Sequence, residues 1–109
     1  MENLLEETKD KLMNCQKMLK DVLWVGIDDG TEAITWDEFA KMADFNYDDD
    51  YGKINIRLDL VVVGKGWWME RHEYDGSEWW EFKEHPKLQS NHKKLTRIKT
   101  TPDEQHIYE

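Results

Sequence analysis

KINIRLDLVVVGKGWWMERHEYDGSEWWEFKE, residues 53–84, decides the fold. Ile54, Ile56, Leu58, Leu60 and Val62 alternate with Asn55, Arg57 and Asp59, the period of two that marks a half-buried strand. Gly64-Lys65-Gly66 then turns the chain into WWMERHEY, and Asp75-Gly76 turns it again into SEWWEFK. Asp-Gly suits a tight hairpin because both central residues of a type I′ turn need positive φ. The expectation is a three-stranded antiparallel meander.

A two-residue loop at Asp75-Gly76 places Tyr74 opposite Ser77, His72 opposite Trp79, Arg71 opposite Trp80 and Met69 opposite Phe82. Neighbouring residues on a strand point to opposite faces. One face then carries Trp67, Met69, Trp80 and Phe82, with Arg71, Glu73 and Glu78 toward the turn. The other carries Trp68, His72, Tyr74 and Trp79, with Glu70 and Glu81. The first face reads as core. The second mixes aromatics with carboxylates and reads either as a recognition surface or as a face covered by the N-terminal helix. A loop one residue longer would exchange the two faces.

Upstream, LWVGI and TEAIT flank Asp29-Gly30 and predict a second hairpin. Thr35 with Glu38 three residues later has the capping-box pattern, so a short helix is expected with Trp36, Phe39, Ala40 and Ala43 on one face. From Met1 to about Lys20 there is no Gly or Pro. Leu5, Thr8, Leu12, Cys15, Leu19 and Val22 form one stripe of an amphipathic helix, which either packs on the domain or self-associates. From Pro86 onward the sequence is polar and without periodicity. The fold class is therefore α+β in the order αββαβββ: N-terminal helix, β-hairpin, short helix, meander. Residues 1–85 are expected to form one domain and 86–109 a flexible C-terminal tail.

The chain has 109 residues and a formal charge of −9, unevenly spread. Residues 21–84 hold seventeen acids against six bases, a net of −11, whereas 85–100 carry Lys87, Lys93, Lys94, Arg97 and Lys99 and no acid. An acidic body disfavours phosphate ligands and favours a basic partner surface. One cysteine, Cys15, excludes an internal disulfide or a thiolate zinc cage. No apolar run approaches the length of a membrane span, and no basic-then-apolar leader opens the chain, so a cytoplasmic protein is expected.

Sequence patterns that carry chemistry are largely missing. GxxxxGK, GxGxxG, HExxH and GxSxG do not occur. Asp44, Asn46, Asp48 and Asp50 resemble the start of a calcium loop, but Asp49 stands where Gly is needed and Asn55 where Glu is needed. His72 with Glu70 or Glu73 can be drawn as an acid–base pair, yet no nucleophile or pocket accompanies it in the sequence. His85 and His92 could join a metal site, but they stand at the border of the expected tail and within it, without a cysteine. No catalytic residue, metal or cofactor is assigned.

DVLWVGIDDG, ITWDEFAKMADF and DLVVVGKGWWMERHEYDGSEWWEFK together resemble small hypothetical proteins of phages and prophages of Gram-positive bacteria, over roughly residues 21–84. The resemblance implies a mobile-element origin in the company of anti-defence genes, and no activity. With the charge, it leads to the expectation of a noncatalytic phage protein that binds, and inhibits, a nucleic-acid-handling host protein by mimicking nucleic acid. Asp28, Asp29, Asp48, Asp49 and Asp50 would meet the partner's Lys and Arg; Trp68, His72, Tyr74 and Trp79 would supply contact area. The protein itself is expected to bind neither nucleic acid nor membrane, and to be a monomer or weak homodimer. Two other readings stand beside it. One is a phage assembly module that self-associates through its helix or its Trp-rich face. The other is a metal-dependent enzyme using Asp48–Asp50.

Overall fold

The computed structural model describes residues 1–48 and 52–103. A short strand β1 (Glu2–Asn3) leads into helix α1 (Leu4–Asn14), and a 3-10 turn (Leu19–Asp21) leads into β2 (Val22–Ile27). Next come β3 (Ala33–Ile34), helix α2 (Trp36–Met42), β4 (Asn46–Tyr47), and the meander β5 (Leu60–Gly64), β6 (Trp67–Tyr74) and β7 (Ser77–Glu84). The protein is α+β. Its main sheet is five-stranded and antiparallel, in the order β3-β2-β5-β6-β7, and β1 pairs with β4 in a separate two-stranded ribbon.

The β6–β7 hairpin has the expected register, with Tyr74 opposite Ser77 and Arg71 opposite Trp80. Asp75 and Gly76 both lie at positive φ, 50° and 88°, as the two-residue turn requires. Pairing of β2 with β5 joins the first hairpin to the meander in one sheet. Gly26 is needed there because a Cβ would come within 2.0 Å of the Glu32 carbonyl oxygen, which accepts from the Ile27 N–H.

Both helices pack on one face of this sheet. Leu4, Leu12, Phe39, Ala43 and Tyr47 form a core with Val25, Val62, Trp67, Met69 and Trp80. The Trp80 indole donates to Thr8 Oγ1 at 2.8 Å, and that hydroxyl donates to the Leu4 carbonyl at 2.6 Å, so α1 is tied to β7 by a buried polar chain. Backbone bonds from Leu4 to Phe45 and from Leu5 to Ala43 tie the start of α1 to the end of α2. Thr35 caps α2 by accepting from the Glu38 N–H, and Glu38 accepts from Thr35 in return.

Three local expectations are corrected. The strand expected from residue 54 begins only at Leu60. Its forerunner is held instead by the buried Glu78 carboxylate, which accepts from the Asn55 N–H at 2.8 Å and the Ile56 N–H at 3.0 Å. Side-chain capping satisfies those amides, so no neighbouring strand is required. Only Ile56 of that stretch is buried, while Ile54 and Leu58 are exposed. At the first hairpin only Gly30 has positive φ; the turn closes from the Gly30 N–H to the Ile27 carbonyl, and a four-residue loop replaces the type I′ turn. Helix α1 stops at Asn14, where Gln16 takes a left-handed conformation, short of the expected Lys20.

Candidate functional site: the open face of the sheet

With both helices on one side, the other face has no helix packed on it among the described residues. The first helix does not cover it: Thr8 and Leu12 are buried in the core on the opposite side. The alternation that buries Trp67, Met69, Arg71 and Trp80 leaves Trp68, Glu70, His72 and Tyr74 of β6 on the open side. From β7 it adds Trp79 and Glu81, and from β5 Val61 and Val63. A register shift after Val22 bulges Leu23 out of β2 and sets Trp24 beside Val63 on the same face.

The polar tips of this face are mutually engaged. Glu70 Oε1 accepts from the Trp68 indole at 2.7 Å, and its Oε2 lies 2.7 Å from His72 Nε2. The Trp79 indole donates to Glu81 at 2.9 Å. The indole bond first, and His72 second, hold the Glu70 carboxyl below the ordinary glutamate range, so it is ionised at neutral pH. Trp68 packs against His85 with ring centroids 5.2 Å apart. A pocket of about 290 Å³ opens here, lined by Trp24, Asp28, Leu58, Val61, Val63, Trp68 and Glu70, with Arg71.

The register also gathers the acidic loops. β2 ends at Ile27, β5 begins at Leu60, β6 ends at Tyr74 and β7 begins at Ser77. The 28–31 turn, the 52–59 segment and the Asp75-Gly76 turn therefore share one end of the sheet. Asp28, Asp29, Glu32, Asp59, Glu73 and Asp75 stand there. Of the cations at this end, Arg57 is held by Asp59, with Nη2 2.8 Å from Oδ2. Asp29 is drawn into its own loop, where the Thr31 hydroxyl and N–H hold its carboxyl below the usual range. Asp48 joins through its backbone, accepting from Asn55 Nδ2 at 2.9 Å. Asp49 and Asp50 lie outside the described residues.

Among the expected binding residues, Trp68, His72, Tyr74 and Trp79 thus share one face, and Asp28 lines the same pocket as Trp68. Asp48 sits beside the segment that caps onto Glu78, away from the pocket. Trp24 was not among the expected residues; its place is set by pairing with Val63 across 39 residues of chain, which no local pattern carries.

A second constellation lies in the core. The Arg71 side chain is fully buried between Glu7, 3.1 Å from Nη1, and Glu78, 3.6 Å from Nη2, while Nη2 also donates to the Tyr47 hydroxyl at 2.9 Å. The Tyr47 hydroxyl in turn donates to Glu7. The guanidinium lies 4.9 Å from the Trp80 ring centroid. Burial raises the Glu7 carboxyl above its ordinary value, outweighing Tyr47 and Arg71, and burial also pushes the Tyr47 hydroxyl up. This network joins α1, β4, β6 and β7, and reads as structural. Among the described residues no three His, Cys, Asp or Glu side chains are grouped to hold a metal ion, and no helix is long and apolar enough to cross a membrane. No protein-family model, no curated protein and no solved structure matches the chain.

Proposed function

We propose that this chain is a noncatalytic binding protein whose open sheet face and acidic end dock on the basic, nucleic-acid-binding surface of another protein and block it. The observation that carries the reading is the adjacency of Asp28 and Glu70 to Trp24 and Trp68 on a face left uncovered by helices. Carboxylates there meet Lys and Arg that otherwise hold phosphates. Half-exposed indoles add apolar contact, because charge complementarity by itself sets on-rate and specificity more than affinity. The acidic end of the sheet extends the negative field beyond the contact. The resemblance to phage and prophage proteins makes a host nuclease or another nucleic-acid-handling protein the partner.

The test is capture of partners from a bacterial lysate with the full chain, at low and high salt, with and without DNA or RNA as competitor. The reading expects a nucleic-acid-binding partner that nucleic acid displaces and that salt releases, since the screening length is about 8 Å at physiological ionic strength. A phage structural protein retained at high salt and indifferent to nucleic acid refutes it. The uncovered face also favours a second reading, self-association through Trp68 and Trp79. Sedimentation decides that one: a stable dimer in which these indoles are shielded supports it, and a monomer removes it.

A further inference from the structure

We propose that the pocket between Trp24 and Trp68 is an arginine subsite, taking the guanidinium of one arginine side chain of the partner; this rests on the docking reading above. Trp24 on β2 and Trp68 on β6 both pair with Val63 on the strand between them. Neighbouring strands lie about 4.8 Å apart, so the two indoles rise on either side of β5 at about twice that spacing. Val61 and Val63 are the floor, and Asp28 and Glu70 supply carboxylates at the lining. Gly26, opposite Val61, brings no side chain into the floor. A volume near 290 Å³ is at the small end for ligand pockets and leaves room for an arginine side chain.

The chemistry of the lining selects the ligand. Two aromatic side chains with carboxylates beside them attract a cation and repel a phosphate. A neutral apolar ligand would strip water from both carboxylates without replacing its hydrogen bonds. Guanidinium suits such a site better than ammonium: it is flat, stacks on indole, donates in a fork, and is more weakly hydrated. Glu70 already accepts one bond on each oxygen, but a carboxylate has about four lone-pair sites and keeps capacity for the fork.

Among the described residues, Arg71 is the one cation in the lining of the pocket. Its guanidinium reaches through the core to Glu7 and Glu78, Arg57 is paired with Asp59, and Lys83, across from Trp68 on β7, is near enough to favour the Glu70 anion but is not part of the lining. Asp28 has no ion-pair partner among the described residues. A cation from outside completes the site.

The experiment is an NMR titration of the full chain with three capped tripeptides, Gly-Arg-Gly, Gly-Lys-Gly and Gly-citrulline-Gly, following the six tryptophan indole N–H signals. The arginine peptide is expected to shift Trp24 and Trp68 saturably while Trp36, Trp67 and Trp80 stay in place, and the citrulline peptide to shift none. Glu70→Gln and Trp24→Leu are each expected to raise the arginine Kd about tenfold, the scale of one cation–π or charge-assisted contact. Both positions are half-exposed, and a retained cooperative melt with the Trp36, Trp67 and Trp80 indole signals in place shows that the fold is intact. Equal response to lysine, a response to citrulline, or no saturable shift at Trp24 and Trp68 overturns the assignment. If arginine fails here while the lysate yields a partner displaced by nucleic acid, the subsite is wrong and the docking reading stands. If arginine binds and no such partner is captured, the docking reading falls and the pocket remains an arginine site.

Discussion

Arg71 is the residue on which the core's electrostatics turn. Its guanidinium is buried between two glutamates and a tyrosine hydroxyl, over the Trp80 ring. Removing one partner of a buried ion pair leaves uncompensated charge in a low dielectric, at a cost of about 3–5 kcal/mol. Arg71→Ala is therefore expected to lose about that much in urea unfolding, a large share of the roughly 5–15 kcal/mol of a whole domain. Two glutamates titrate in opposite senses. Glu7 lies above the ordinary value of 4.5 because of burial, so its protonated form is favoured in the fold. Its contribution to stability is fullest below 4.5 and is lost as pH rises through the folded value. Glu70 lies below 4.5 because Trp68 and His72 favour its anion, so its contribution is present above 4.5 and is lost as pH falls through the folded value. Carboxyl carbon shifts followed by NMR are expected to place Glu7 above and Glu70 below the ordinary glutamate value of 4.5. The stability difference between Glu70→Gln and the parent chain should shrink on acidification.

At the scale of elements, local chemistry was legible where it was self-contained. Thr35 and Glu38 form the reciprocal cap that their spacing predicts, and Asp75-Gly76 forms the turn that sets the β6–β7 register. Thr35→Ala should cost about 0.5–2 kcal/mol in a thermal or urea melt, because it strands an amide of a helix only seven residues long. The alternation over residues 54–59 misled because the period of two describes side chains, whereas a strand also needs a backbone partner. β5 has β2 beside it only from Leu60, and upstream of that the Glu78 carboxylate takes the amides. In Glu78→Ala, hydrogen exchange at Asn55 and Ile56 is expected to quicken markedly while Val62, inside the ladder, stays protected.

Across the whole molecule, charge is sorted by the topology. Antiparallel connections bring the acid-rich turns to one end of the sheet, while Lys20, Lys65 and Lys83 fall toward the other. Beyond β7, His85 still donates its backbone N–H to Gly66 at 2.9 Å. From residue 86 to 100 the described residues are exposed, and 87–99 carry five cations without an acid. None of the core residues comes from this stretch. A chain ended after His85 is expected to melt cooperatively within a few degrees of the full protein, as calorimetry or circular dichroism would show. A non-cooperative melt would mean that the cationic segment stabilises the acidic body.

The sequence by itself determined the α+β class, the order of the main elements, the pairing of β6 with β7 and which of their residues face inward. Those properties follow from periods of two and 3.6 and from turn chemistry, all of which act over a few residues. Only the tertiary structure decided that the first hairpin joins the meander through β2 and β5, that α1 packs on the face of Trp80, and that the opposite face is left open. It also decided that Trp24 and Trp68 flank Val63 on one face, and that Glu7, Tyr47, Arg71 and Glu78 converge in the core. Each of these depends on which apolar surfaces bury one another and which buried polar groups find partners. Both are contests among distant segments of the chain, and neither leaves a local period to read.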